Sequence, residues 1–325
     1  MRSEILTILH KAKGKYVSGT YLANKLSVSR TAIWKHICIL KNDGYNIDSK
    51  SKNGYRIIDS PDLLTPGEIN AVLTTKTFGR TIKYYKKIDS TNNEAKKIAL
   101  DEKAPEGTIV ISESQGDGRG RLSRGWYSPA QKGIWFSIIL RPDFLPQEAP
   151  KCTLMAAVAI AKAIYTITGL KVGIKWPNDI LYDGKKLVGI LTEMNAEMDR
   201  INYIVIGMGI NVNILSQDMP EEVKDIATSL MQITGKKISR LALLQQLLVE
   251  LENLYTTIKK HGFSPIIQDW KKYSITLGKN IKVISVNETF YGKAVDIDNF
   301  GALLVDTGEK IERVLAGDVS IRPAK

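Results

Sequence analysis

Residues 115–126 read Gln-Gly-Asp-Gly-Arg-Gly-Arg-Leu-Ser-Arg-Gly-Trp, and this stretch constrains the fold more than any other. Its four glycines leave the backbone free to adopt positive φ and to approach a ligand closely. Its three arginines offer forked, permanently charged donors matched to carboxylate and phosphate oxygens. An apolar run, Thr108-Ile109-Val110-Ile111, precedes it, and another, residues 133–140, follows. The stretch therefore reads as an anion-binding loop carried between two buried strands. It lacks the Gly-Lys-Ser/Thr ending of a nucleoside triphosphate loop, and no helical pattern follows it as a dinucleotide fingerprint requires. Taken alone, the loop is equally compatible with a solvated basic linker.

The N-terminal residues have a different organisation. Ile5, Leu6, Ile8 and Leu9 share one helical face, and Tyr21, Leu22 and Leu26 form a second short pattern. Ser29 is placed to cap a third helix running to about Asp43, with Gly44 as its stop. In that helix Ile33, Ile37 and Leu40 face inward, leaving Ser29, Arg30, Thr31, Trp34 and Lys35 for another surface. Two β-prone runs joined through Asn53-Gly54 then predict a hairpin bearing Lys50, Lys52 and Arg56. Three helices followed by a basic hairpin resemble a winged helix-turn-helix. The net charge of +12 is concentrated here: the first 60 residues hold eleven basic and four acidic residues. That balance suits nucleic acid, with the wing contacting phosphates. A helical protein-contact domain is the alternative.

Downstream, Asp89-Ser90-Thr91-Asn92 leads into an amphipathic helix, and the Thr91–Glu94 spacing is that of a capping box. A buried helix is expected from Lys151 to about Thr168. Lys175-Trp176-Pro177-Asn178-Asp179 ends a strand, and Asp183-Gly184 turns a hairpin whose return begins near Lys186. Gly207-Met208-Gly209-Ile210-Asn211-Val212-Asn213 closes another strand. From Tyr273 onward, short evenly spaced strands predict a small β-barrel. Two distant cysteines and three histidines leave little material for a disulfide, a metal cluster or imidazole catalysis. No apolar run of membrane-spanning length is read, and the N-terminus has no signal-peptide core; a cytoplasmic location is expected.

In this order, Gly-Arg-Gly-Arg, Lys-Trp-Pro-Asn-Asp, Lys-Leu-Val-Gly and Gly-Met-Gly-Ile-Asn resemble the hallmarks of biotin protein ligases. With the N-terminal module, nearly the whole chain is similar to the bifunctional biotin ligase and biotin operon repressor family. The resemblance implies an α/β multidomain chain. Residues 1–60 would be a winged helix-turn-helix, 61–272 an α+β, class II synthetase-like ligase domain, and 273–325 an SH3-like β-barrel. It implies that ATP with Mg²⁺ activates biotin to biotinyl-5′-AMP, which is both intermediate and co-repressor. Biotin would then pass to a lysine of the biotin carboxyl carrier protein of acetyl-CoA carboxylase. Operator DNA of biotin genes and a homodimer in the adenylate-bound state complete the implied partners, with no membrane. Arg119, Arg121 and Lys186 would be catalytic. Ser90, Thr91, Asn92, Gln115 and Gly120 would join them in holding biotin. Arg121, Trp126, Lys175, Asn178 and Asn211 would hold the nucleotide, and Asp179 the Mg²⁺.

Leu122-Ser123 departs from the Arg-Gly often found at these places of the family's loop, which bears on how long the adenylate is retained. Two other functions compete: a sensor that binds biotin or adenylate without chemistry, and a lipoate-specific relative.

Overall fold

A computed structural model of the chain describes residues 1–101, 104–285, 288–316 and 320–323. They form two compact units, Met1–Thr74 with Ser239–Leu241, and Thr75–Ile238 with the chain from Ala242 onward.

The first unit contains α1 (Arg2–Lys11), α2 (Gly19–Lys25), α3 (Arg30–Asn42), the hairpin β1 (Asn46–Lys50) and β2 (Gly54–Asp59), and α4 (Pro66–Val72). Its core is the set the periodicity selects: Ile5, Leu6, Leu9, Leu22, Ile33, Ile37 and Leu40. Ser18 and Ser29 cap α2 and α3 by accepting from the backbone N–H groups of Tyr21 and Ala32, both at 3.1 Å. Gly44 ends α3 at φ +95°. Val17 exchanges two backbone hydrogen bonds of 2.9 Å with Tyr55, which ties the hairpin to the helices. The unit continues past the hairpin because α4 packs on α1: a Cβ on Gly67 would lie 3.0 Å from Leu6. Arg240, fully buried, pairs with Asp62 at 3.2 Å within the same unit.

The second unit is built on a seven-stranded sheet. Its elements are β3 (Ile82–Tyr85), α5 (Thr91–Leu100), β4 (Ile109–Ser112), β5 (Gly133–Leu140), α6 (Lys151–Thr168), β6 (Gly173–Lys175), β7 (Asp179–Tyr182), β8 (Lys185–Ala196) and β9 (Ile201–Asn211). The strand order is β3-β4-β5-β9-β8-β7-β6, parallel only between β3 and β4, where α5 makes the crossover. All residues of β5 are buried, which is why its sequence is a continuous apolar run rather than an alternating one. By length and composition Pro146–Thr168 could cross a membrane, contrary to the expectation from the sequence. Its apolarity serves the core, since most of α6 is buried in the fold.

Helices α7 (Glu221–Lys224), α8 (Leu230–Thr234), α9 (Arg240–His261) and α10 (Ser264–Tyr273) follow. The sequence reading passed over α10, although Pro265 at its first turn and the buried Ile266, Ile267 and Trp270 mark it. Five strands end the chain: β10 (Asn280–Ile284), β11 (Thr289–Ile297), β12 (Leu303–Asp306), β13 (Ile311–Val314) and β14 (Ser320–Pro323). They form an antiparallel sheet in the order β13-β12-β11-β10-β14, with β13 and β14 as unpaired edges among the described residues. The expected barrel is thus not closed. This sheet belongs to the second compact unit. The Trp176 indole N–H donates to the Gly301 carbonyl at 3.0 Å, and buried Lys151 donates to that of Asn299 at 2.8 Å.

At Gly54, φ is +102° and an added Cβ would sit 2.1 Å from the Val17 carbonyl oxygen. Gly54→Ala is expected to destabilise the N-terminal unit by about 2 kcal/mol or more, from left-handed strain plus the lost strand contact. Thermal unfolding followed beside the exposed control Asn53→Ala checks this.

Candidate functional site

The four motifs converge on one cavity of about 620 Å³ in the second unit, and every residue expected to hold biotin, nucleotide or metal lines it. Its floor is a gap in the sheet's side chains. Gly189 of β8 and Gly209 of β9 are cross-strand partners, so two adjacent positions carry no Cβ. The Trp126 ring lies on them; a Cβ on Gly209 would come within 2.3 Å of its Nε1. That Nε1 is buried with no hydrogen-bond partner among the described residues. Above the other ring face, the Lys186 ammonium is 5.2 Å from the centroid.

At one end stands the N-terminus of α5. Ser90 is the N-cap residue, but its hydroxyl makes no cap bond. The expected capping box is absent. Thr91 is the first helical residue rather than the cap, its hydroxyl donates to Gln115 Oε1 at 3.1 Å, and Glu94 accepts from Tyr85 instead. Gln115 is fixed further by the Thr91 backbone N–H at 2.8 Å and by its own donation to Ser128 at 2.9 Å. Asn92 accepts from Ser137 at 2.6 Å and donates to Leu191 and Glu193 at 3.2 and 2.9 Å. Its amide is committed to the protein, whereas the buried Ser90 hydroxyl has no protein partner among the described residues.

The other end is cationic. Arg119, Arg121, Arg124, Lys175, Lys186 and Arg322 line the cavity, with Asp179 as the single carboxylate among the described residues. Lys186 pairs with Asp179 at 2.8 Å, while Lys185 is exposed and does not line the cavity. Arg119 is exposed and pairs with Asp117 of its own loop at 3.0 Å. Arg121 anchors the loop, donating to Asn178 Oδ1 at 3.1 Å and to the Ala316 carbonyl at 2.8 Å. Asn178 and Asn211 brace the walls by donating to the carbonyls of Ile190 and Thr228 at 2.8 and 3.0 Å. Gly120 begins the turn containing Leu122, whose φ of +56° is left-handed and strained for a leucine. Burial holds the Lys175 ammonium below the usual lysine range; Asp179 opposes that shift, and Lys186, Arg322 and Arg124 add to it. Arg124 is the third arginine of the anion-binding loop, whereas sequence reasoning missed Arg322. Arg322 comes from β14, more than a hundred residues from the motifs, with no local signal to mark it.

No group of three or more potential metal-ligating side chains occurs among the described residues. One carboxylate beside a cationic wall fits Mg²⁺ that arrives with phosphate oxygens and keeps its waters, not a protein-made metal cage.

In the first unit, Arg30, Thr31, Trp34 and Lys35 are exposed on α3 and Lys52 at the tip of the hairpin. Lys50 and Arg56 lie over the Tyr16 ring at 5.3 and 4.7 Å. Arg56 also pairs with Asp48 at 3.1 Å, so the wing's charge is partly used within the fold.

A polyanion entering the cavity is expected to raise the depressed pKa of Lys175 and so to take up a fraction of a proton. Affinity should be constant below the free-protein pKa and fall as pH rises from that value to the bound one. Titration calorimetry with a nucleoside triphosphate, in two buffers of different ionisation enthalpy, measures the uptake. Lys175→Arg should abolish it.

The profile of the Biotin/lipoate A/B protein ligase family matches residues 84–211, an HTH domain matches 2–56, and the Biotin protein ligase C terminal domain matches 276–322. The chain is 44% identical over 321 residues to the Bifunctional ligase/repressor BirA of Bacillus spizizenii, covering 99% of this chain and 98% of that one. The protein of the same name in Escherichia coli is 30% identical over 97% of this chain and 95% of its own. Among solved structures, the biotin protein ligase from Aquifex aeolicus in complex with biotin and ATP superposes with a TM-score of 0.67 at 30% identity. It covers 75% of this chain and 100% of its own. Relatives 44% and 30% identical along almost the full sequence, together with the matching helix-turn-helix domain, place the chain in the family of bifunctional biotin ligase/repressors.

Proposed function

We propose that the protein is an ATP-dependent biotin–protein ligase and a biotin-responsive repressor of biotin genes. The observation that carries the ligase half is the cavity wall, where, among the described residues, six cationic side chains face one carboxylate. Such a wall suits a reaction whose obstacle is bringing two anions together. A biotin carboxylate oxygen attacks the ATP α-phosphorus, the bond to the bridging oxygen breaks, and pyrophosphate leaves with its electron pair. Arg119, Arg121 and Lys186 offset the crowded negative charge. Asp179 is the residue that would hold Mg²⁺, which neutralises phosphate charge when bound. The Ser90 hydroxyl and the α5 N-terminus are suited to the ureido end of biotin, with Thr91 held by Gln115 and Asn92 as the brace. The Gly116–Gly125 loop then shields the adenylate from water. A lysine amine of the biotin carboxyl carrier protein of acetyl-CoA carboxylase attacks the acyl carbon, AMP departs, and the amine loses a proton to give the amide.

The N-terminal unit is read as the operator-binding part, with biotinyl-5′-AMP as co-repressor and a homodimer as the DNA-bound form. In the same reading the seven-stranded sheet is class II synthetase-like and the C-terminal sheet SH3-like. The free cysteines, Cys38 and buried Cys152, agree with a reducing cytoplasmic setting.

The decisive assay is exchange of labelled pyrophosphate into ATP with Mg²⁺. Exchange should require biotin, resist competition by lipoate, and fall at least a hundredfold, about 2.7 kcal/mol, in Lys186→Ala. Bound biotin without exchange would leave a sensor in place of the ligase. A chain beginning at residue 75 should retain exchange and lose retardation of operator DNA in a gel; a retarded band would overturn the division of labour.

A further inference from the structure

We infer that Trp34 reads a thymine in the DNA half-site, an assignment that rests on the operator-binding reading above. Of the chain's five tryptophans, Trp135, Trp176 and Trp270 are fully or almost fully buried and Trp126 is half-buried, whereas Trp34 is 56% exposed. Its exposure follows from its place on α3. Ile33, Ile37 and Leu40 face the core, so Trp34, one residue on from Ile33, turns outward. It shares that surface with Arg30 and Thr31 on the preceding turn and with Lys35. Unlike exposed Tyr21, whose ring is covered by Lys25 at 5.4 Å, the Trp34 indole has no ring, cation or hydrogen-bond contact among the described residues. One face of α3 thus offers a partner an open apolar ring with a single donor beside two cations.

The chemistry of the side chain selects its target. Indole is apolar over most of its surface and carries one donor and no acceptor. In the major groove only thymine offers a methyl group for apolar contact next to an acceptor, O4. Cytosine offers a donor and no methyl, so it leaves the indole N–H opposed. Guanine is matched better by an arginine fork, and Arg30 is one turn away. Phosphate is not a target, since indole cannot neutralise it. Self-association through this face would bring Arg30 and Lys35 against their copies.

The test uses the full-length protein with biotin, ATP and Mg²⁺. A pool of random duplexes is enriched for bound sites, and each thymine of the winning site is then replaced in turn by deoxyuridine, which lacks only the methyl. The wild-type protein should bind about fourfold more weakly when one particular thymine is replaced, the equivalent of roughly 0.8 kcal/mol for one buried methyl-sized group. Trp34→Ala should bind the thymine and deoxyuridine sites equally, and Trp34→Phe should keep part of the difference. Both variants should melt with the wild type because the side chain is exposed. An enriched site at which Trp34→Ala shows the same deoxyuridine penalty as the wild type overturns the assignment. So does a site where no thymine matters, or a variant that weakens all duplexes equally while dissociating a dimer. No enrichment of any site by the wild type would instead defeat the operator-binding reading itself.

Discussion

Holding cations in a partly dehydrated cavity, where burial and then like charge disfavour them, is the constraint around which the ligase unit is arranged. Burial first, and then Lys186, Arg322 and Arg124, disfavour the charge on Lys175, and Asp179 is the only carboxylate among the described residues of the wall to offset them. A group of cations held in that way raises the free energy of the empty protein, and the core must compensate. The compensation is visible in α6, in the fully buried β5 and in the buried tryptophans Trp135, Trp176 and Trp270. Bound anions remove the repulsion, so affinity and stability are linked through the same side chains. The apolar half of the cavity has the opposite character. There the paired glycines of β8 and β9 leave bare backbone, and Trp126 fills the space their side chains would take.

Much of this was legible in the sequence because it is local. The third helix, its Ser29 cap, the Asn-Gly hairpin, the glycine-arginine loop and the Asp183-Gly184 turn each depend on residues within a few positions of one another. The motifs also identified the residues that the fold gathers around the cavity. What was not legible depends on distant partners. The Thr91–Glu94 spacing is right for a cap, but Gln115, twenty-four residues away, takes the Thr91 hydroxyl. Asn92 lines the cavity as its motif implies, but its bonds to Ser137, Leu191 and Glu193 could not be read from its neighbours in sequence. Arg322 and the short edge strand β14 had no periodicity to announce them. The barrel was inferred from evenly spaced strands, and spacing does not report whether two edges meet.

The two units differ in how they use their charge. The N-terminal unit spends part of it internally, with Arg56 and Lys50 against Tyr16 and Arg56 on Asp48, and leaves the outer face of α3 open. The second unit concentrates its charge inward, on the wall of a cavity. Net charge alone would not distinguish these uses.

Arg121 fastens the loop to the segment that follows β13 through the main-chain oxygen of Ala316, not through a side chain. Any residue at position 316 presents the same oxygen. The arginine can therefore stay fixed across relatives while its partner drifts freely, and the pair leaves no trace of correlated substitution. A contact that couples loop order to the far end of the chain is in this way invisible to sequence statistics and robust to mutation at one of its two ends.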